Sequence, residues 1–383
     1  MLLKVGLKIR NFLFHRNEIK YEKYVMYHFK KKSLKWCRKT LTKQQEKEIQ
    51  DFYLKHLGRK VDTAYHRYFY SRNGFFSPRY IPTYVYQSQI IGRLNDMRMK
   101  SSYADKNQYE RLFPQVKQPK TILKCVNGFY HQDDRPISKE EAILLCGNLQ
   151  EAIIKPSLET SRGDHVACIS TKDGKLKNGK SVEALFNVYG KNFIVQERIK
   201  QHAKMSALNP TSVNTIRILT YRRGNDIEIL YGVIRIGRKG KVVDNESSGG
   251  ITTQINKDSS LPKYAYGAPS EKPFETTDSG VVLDGYQIPS YEKVEELVKE
   301  LHLQLPFFKL AGWDIAIGED DDPIFIEWNP RADLSQTTVG PAFGDFTEEI
   351  LEIARTQPNT RLYEIGETKF VDIEKNEVAS FLR

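Results

Sequence analysis

The sequence predicts an α+β fold with a mainly helical N-terminal region, on three observations. First, short apolar strand patterns and amphipathic helical patterns follow one another from residue 119 onwards. Second, Ala311 to Asp333 reads A-G-W-D-I-A-I-G-E-D-D-D-P-I-F-I-E-W-N-P-R-A-D. Two apolar runs flank Gly318 and four acids, the pattern of a β-hairpin. Third, Met1 to Phe14 and Thr42 to Leu57 carry helical patterns. Residues 1–60 also hold 17 Lys or Arg against 5 Asp or Glu. The net charge of +11 therefore belongs to the N-terminus, and the rest of the chain is within one charge of neutral.

The 383 residues suffice for two or three domains with a sizeable core. No stretch reaches the length of a membrane span, and no signal peptide is expected. Cys37, Cys125, Cys146 and Cys168 are scattered without a C-x-x-C, which argues against a zinc site or disulfide framework and for a reducing cytoplasm.

In chain order, Met1 to Phe14 carries Leu2, Leu3, Val5, Ile9, Phe12 and Leu13 on one helical face beside Lys4, Lys8 and Arg10. Such a segment suits an anionic membrane surface or a helix packed on its own domain. The basic run continues through Lys30, Lys31, Lys32 and Lys35 to Lys39. It lacks an aromatic–basic platform, so nucleic acid is not expected. Thr42 to Leu57 reads as a helix with Thr42 as N-cap and Gly58 as stop. Residues 60–90 are aromatic and irregular, and Ala104 to Phe113 is a helix ended by Pro114. Pro119 to Leu123 and Ala152 to Pro156 read as strands, Val182 to Tyr189 as a helix, and Asn192 to Glu197, Thr215 to Tyr221 and Ile227 to Ile236 as strands. A Gly-Gly turn in Val243 to Asn256 leads into another strand, and residues 257–288 look like a loop. Ser290 to Leu303 and Phe346 to Ala354 read as helices.

Asp314 lies in the first hairpin strand, while Glu327 and Asn329 leave one face of the second. The short turn brings Asp314 opposite Glu327. Two carboxylates and an amide are hard oxygen ligands that suit Mg²⁺ beside phosphates; a solvated hairpin with outward acids is the alternative. Lys155, in an apolar strand, needs an anion. The Ser/Gly loop from Pro156 to Val166 can offer N–H groups to phosphates, without the G-K-[ST] of a P-loop. Arg217 and Arg235 on neighbouring strands suit a phosphate site or two structural ion pairs. No Ser/His/Asp or Cys/His set points to a side-chain nucleophile.

Six stretches stand in one order: A-D-K-N-Q-Y-E-R-L-F-P, I-I-K-P-S-L-E-T-S-R-G, Q-E-R-I, L-N-P-T-S-V-N-T-I-R-I-L-T, V-D-N-E-S-S-G-G-I and G-W-D-I-A-I…F-I-E-W-N-P. Over residues 100–355 this resembles the ATP-grasp superfamily, most closely its sugar-transfer-associated group related to glutamate ligases. The resemblance implies two α+β subdomains clasping ATP, residues 101–200 and 201–360. A helical region (1–100) precedes them and a tail (361–383) follows. It implies Lys106 and Lys155 on the ATP phosphates, under a loop bearing Ser157, Ser161, Arg162 and Gly163. Glu197 and Ile199 would mark the adenine hinge, and two Mg²⁺ ions would sit on Asp314, Glu327 and Asn329. Arg217, Arg235 and Lys155 would act on the transferred phosphate. Asn214, Asn245, Gly249, Gly250 and Arg331 would lie on the acceptor side.

The chain departs from the pattern in three places. Gly312 stands where such ligases often carry arginine, which leaves its role to Arg217 or Arg235. No second acid follows the hinge before Asp226, so ribose contact falls to Glu197 or His202. Residues 1–100 lack the strand–helix alternation of the usual preceding domain.

The implied activity is ATP- and Mg²⁺-dependent joining of an amine to a carboxylate through an acylphosphate. The expected acceptor is a small molecule, or a cell-envelope or capsular saccharide or its precursor. A phosphotransferase acting on a hydroxyl, or an ATP-binding scaffold of a polysaccharide assembly complex, are the alternatives. The expected location is the cytoplasm, at the inner face of the membrane if the basic segment attaches. In that case the full-length chain should co-sediment with anionic vesicles at low salt and be released at high salt, each nearby basic residue contributing about 1 kcal/mol. Deleting residues 1–14 should abolish co-sedimentation and spare ATP binding. A full-length chain that ignores such vesicles at low salt would make the segment a core helix.

Overall fold

The computed structural model describes residues 2–158, 165–238, 240–360 and 377–382, with the side chains of residues 2–15 outside the description. The predicted loop residues Ser161, Arg162 and Gly163, the apolar stripe of the first 14 residues and most of the tail therefore lie outside the described residues.

The first lobe contains β1 (Thr121–Val126), β2 (Phe129–Gln132), β3 (Arg135–Ile137), β4 (Ala152–Pro156) and β5 (Ala167–Ile169). A small ribbon of β6 (Thr171–Lys172) and β7 (Lys175–Leu176) follows, and then β8 (Phe193–Glu197). The six-stranded sheet has the order β3-β2-β1-β8-β4-β5. Its core gathers Leu123, Ile154, Phe186, Phe193 and Val195. The helix Val182–Tyr189 covers it, capped by Ser181, whose side chain accepts from the Ala184 N–H.

The second sheet contains β9 (Thr215–Arg223), β10 (Asp226–Ile236), β11 (Ile251–Gln254), β12 (Leu310–Ile317) and β13 (Pro323–Asn329), in the order β11-β10-β9-β12-β13. Side chains alternate between its two faces. Ile216, Ile218, Ile234, Trp313, Ile315 and Phe325 point to one face and form a core with the helix Tyr291–Leu303. Leu219, Tyr221, Val233 and Leu310 point to the other and join the core of the N-terminal helices. Only half of that second face is covered this way. The other half bears Thr215, Arg217, Arg235, Asp314 and Glu327.

The N-terminal region is helical: α1 (Leu2–Lys32), α2 (Lys43–His56), α3 (Ala64–Asn73) and a helical stretch from Thr83 to Leu94. The first helix is twice as long as its apolar stripe suggests. Its C-terminal half packs Val25, Met26 and Phe29 on the core, and Arg59 grips Glu22 through two bonds of 2.9 and 3.0 Å. No helix among the described residues is long and apolar enough to cross a membrane. Thr42 closes a capping box with Gln45, as its position predicts.

Two expectations are corrected. Residues 60–90 are not irregular throughout: Tyr65, Tyr68 and Phe69 form the buried stripe of α3, and Phe69 stacks on Tyr80 at 4.8 Å. Aromatic residues on nearly every position hid the helical period. Ala104 to Phe113 is not one helix but a 3₁₀ turn, Lys106–Gln108, followed by a single α-turn, Tyr109–Leu112. Asp105 starts that turn locally, its side chain accepting from the Asn107 N–H at 3.0 Å.

One buried amide ties the helical region to the sheet. Asn95 donates to the carbonyls of Leu310 and Pro330, both at 2.8 Å, and accepts from the Leu310 N–H at 2.9 Å. Asn95→Ala would leave these backbone groups unpaired in a dry site. It should lower stability by about 2–3 kcal/mol in urea unfolding; a loss under about 0.5 kcal/mol would show the tie to be redundant.

Candidate active site

Sheet register assembles the site. β12 and β13 pair Asp314 with Glu327 and Gly312 with Asn329, as the hairpin spacing predicts. β9 pairs Arg217 with Asp314, and β10 pairs Arg235 with Thr215. Directly paired residues share a face, so these side chains form one floor.

At its centre Asp314 is 1% exposed. Arg217 grips both its oxygens, Nη2 donating to Oδ2 at 2.7 Å and Nε to Oδ1. Arg235 Nη2 lies 3.0 Å from the same Oδ2. Burial alone would raise the Asp314 pKa, but the two guanidinia override it and hold the carboxyl well below the usual carboxylate range. Gly312 has no room for a side chain: a Cβ there would lie 2.3 Å from the Ala332 Cβ and 3.7 Å from the Arg217 Cδ. The space a side chain would need there is already taken by Ala332.

The opposite wall is the first sheet. Lys106 is set by its own N–H donating to the Ser157 carbonyl at 3.0 Å, while its neighbour Asn107 donates to the Cys125 carbonyl at 3.0 Å. Its Nζ then reaches across to Glu327 Oε2 at 3.2 Å. Lys155 is 7% exposed in β4, and its ammonium has no hydrogen-bond or ion-pair partner among the described residues. Burial, then the charge of Lys106, pulls it down to about 8, with Glu327 and Asp314 opposing. The Ser157 hydroxyl is also buried without a partner among the described residues.

Between the walls lies a cleft of about 140 Å³. Its lining includes the predicted Lys106, Lys155, Glu197, Ile199, Arg235, Asn245, Asp314 and Glu327. Arg217 meets it through Asp314, and Asn329 lies beside Glu327, Nδ2 to Oε1 at 3.5 Å. The exposed Glu197 faces Lys120 at 3.2 Å.

Several predicted residues stand elsewhere. Asn214 is fully buried, donating to the Met205 and Asn209 carbonyls at 2.7 and 2.9 Å. It holds a loop and does not line the cleft. His202 caps the helix Ala203–Leu208, Nδ1 accepting from the Lys204 N–H at 3.1 Å, which leaves Glu197 as the ribose candidate. Gly249 and Gly250 shape a turn: Gly249 has φ +93°, and a Cβ on Gly250 would meet the Asp244 carbonyl at 2.1 Å. Neither they nor Arg331 line the cleft.

Sequence reading missed Asp244 and Thr215, which do line it. Asp244 is 5% exposed, and its Oδ2 accepts from the Thr215 N–H at 2.9 Å and from the Thr215 hydroxyl. Burial pushes its pKa up, with Arg235 opposing. No local signal marked Asp244, since its apolar neighbour Val242 is itself exposed.

The site thus sets Lys106, Lys155, Arg217 and Arg235 against Asp244, Asp314 and Glu327. The unpartnered Lys155, beside Lys106, fits a polyanion. For a metal the donors are two carboxylates and an amide oxygen, hard ligands that fit Mg²⁺. No cluster of three His, Cys, Asp or Glu suited to a metal occurs among the described residues.

The model of the sugar-transfer associated ATP-grasp family matches residues 86–343. The chain belongs to that family. The two sheets are its ATP-grasp fold. Three solved structures are similar at low identity. The ATP-grasp ligase PsnB with minimal precursor, Mg and ADP is 10% identical, over 68% of this chain and 62% of that one, with a TM-score of 0.39. The L-amino acid ligase from Bacillus licheniformis is 13% identical, over 70% and 51%, at 0.37. The D-alanyl-alanine synthetase A from Vibrio cholerae is 12% identical, over 67% and 65%, at 0.40. The matched regions thus span less than two thirds of each of these proteins. No curated protein matches the sequence.

Lys155 gives this ATP-grasp site a pH signature. Its folded pKa of about 8 lies below the ordinary 10.5, so between those values the unfolded chain binds more protons. The Lys155 contribution to the stability of the ligand-free protein should therefore rise with pH across that window, by on the order of 3 kcal/mol. Thermal melts of Lys155→Met should lack this increment. Identical pH dependence in both proteins would place Lys155 in water.

Proposed function

We propose that the protein is an ATP- and Mg²⁺-dependent ligase that joins an amine to a carboxylate through an acylphosphate. Its acceptor is a cell-envelope or capsular saccharide, or the precursor of one. The observation that carries this reading is Lys155, a buried ammonium without a counter-ion, in the same cleft as Lys106 and Arg235 and close to Arg217. A polyphosphate supplies the missing anion. Membership in the family supports ATP as its source and a saccharide context. The apolar lining of Pro119, Ile153, Val166, Ile199, Val213 and Ile326 suits a flat base next to those phosphates.

Lys106 and Lys155 would hold phosphate oxygens from the first sheet and Arg217 from the second, with Arg235 behind it on the floor. Mg²⁺ held by Asp314, Glu327 and Asn329 would screen the phosphate charge. A carboxylate oxygen of the substrate attacks the terminal phosphorus, the bond to the bridging oxygen breaks, and ADP leaves. Lys155 and Arg217 stabilise the charge on the transferring oxygens. The amine then attacks the acyl carbon and loses a proton, and phosphate departs as the amide forms. The helices that cover the other half of the sheet face, with Asn245, would bound the acceptor. Two catalytic lobes, 101–200 and 201–360, follow from this assignment. The basic N-terminal helix would bring the cytoplasmic protein to anionic lipid.

Mass spectrometry of ATP reactions with candidate acids and amines tests the reading. A new amide mass, with ADP and phosphate, is expected. A phosphorylated hydroxyl product would replace the ligase by a phosphotransferase, and no turnover with any acceptor would favour a scaffold. Glu327→Gln should lower turnover about 10²-fold or more with the fold retained; near-normal turnover with Mg²⁺ would remove Glu327 from the metal site.

A further inference from the structure

Arg235 sits between two buried carboxylates. Its Nη2 lies 3.0 Å from Asp314 Oδ2, and its Nε lies 3.7 Å from Asp244 Oδ2. The Thr215 hydroxyl bridges the second approach. It accepts from Arg235 Nε at 3.0 Å and from Nη2 at 2.6 Å, and donates its own proton to Asp244. The Thr215 N–H fixes the same Asp244 oxygen at 2.9 Å. Asp244 itself is held in place by the turn that requires Gly250.

The arrangement closes Asp314. Both its oxygens are engaged by guanidinia, so a divalent cation reaches that carboxylate only when the guanidinia give way. A buried arginine that loses its carboxylate is costly unless another takes over. Arg217 has an incoming phosphate and nearby Glu327 to turn to. Arg235 has Asp244 within a short shift along its own strand face.

We propose that Asp244 is a positioning residue for metal binding: it is the seat onto which Arg235 withdraws, through Thr215, when Asp314 is given over to the cation. The inference rests on the reading of Asp314 as a metal ligand. Asp244 touches neither metal nor reacting atoms; it sets how readily Asp314 becomes available. Replacing it should therefore weaken the metal and not the nucleotide.

The test uses Mn²⁺ as the probe and the non-hydrolysable adenylyl imidodiphosphate as the nucleotide, on the full chain. Free Mn²⁺ is read by electron paramagnetic resonance, and metal-free nucleotide binding by calorimetry. Asp244→Asn should weaken Mn²⁺ binding to the nucleotide complex about 10-fold or more and change metal-free nucleotide affinity less than about 2-fold. In an Arg235→Gln background the same substitution should cost less than about 3-fold, because the residue that it positions is gone. Asp244→Ser serves if the amide does not fold, since it removes the charge with a smaller polar side chain. Unchanged Mn²⁺ affinity in the single variant would overturn the inference alone. So would an undiminished effect in the Arg235→Gln background, which would reveal a direct field from Asp244. A wild-type nucleotide complex that binds no Mn²⁺ would overturn the metal assignment, and this inference with it.

Discussion

The structure depends on one buried ion cluster: Asp314 with Arg217 and Arg235, in the middle of a five-stranded sheet. A carboxylate this deep is tolerable only with close counter-ions and saturated hydrogen bonds. The antiparallel register supplies both by placing Arg217 directly opposite Asp314 and Arg235 one strand further out. The demand propagates outward. Arg235 needs Thr215, Thr215 needs Asp244, and Asp244 needs the turn with a side-chain-free Gly250. Gly312 stays bare so that Ala332 can pack against the strand beside the carboxylate.

The N-terminal helices give this face its second property. They bury Leu219, Tyr221, Val233 and Leu310 and stop short of Arg217 and Thr215. One sheet face is thus divided into a dry half, which anchors the helices, and a charged half, which floors the cleft. Asn95 fastens the boundary by satisfying the backbone on both sides of the hairpin. The helical region thus fixes the edge of the charged half without contributing a residue to the cleft lining.

The two walls differ in their electrostatic state. On the sheet floor every charge is paired, and the cluster is quiet without a ligand. On the facing wall Lys155 is buried beside another ammonium with no anion of its own. That imbalance destabilises the ligand-free protein and favours binding of an anion, so part of the binding free energy is stored in the fold.

Much of this was legible along the chain. The hairpin, the opposition of Asp314 and Glu327, the strand Ala152–Pro156 and the helix Val182–Tyr189 follow from local periodicity and turn chemistry, which neighbouring residues decide among themselves. The family motifs add Lys106, Lys155, Arg217 and Arg235, because each charged residue interrupts an apolar strand or stands beside one. Long-range packing decided the rest. That Arg217 and Arg235 close on Asp314 depends on which strands become neighbours, and β9 lies next to β12 across some ninety residues of sequence. Asn214 and His202 look like site residues by position, yet local hydrogen bonds turn both towards the backbone, one closing a loop and the other capping a helix. The helix α3 was hidden because its aromatic residues show no polar face until the sheet and α1 cover them. The sequence by itself determined which groups carry charge and where strands turn. Only the tertiary structure decided which charges meet, since a buried ion takes its partner from whatever the fold brings within about 4 Å.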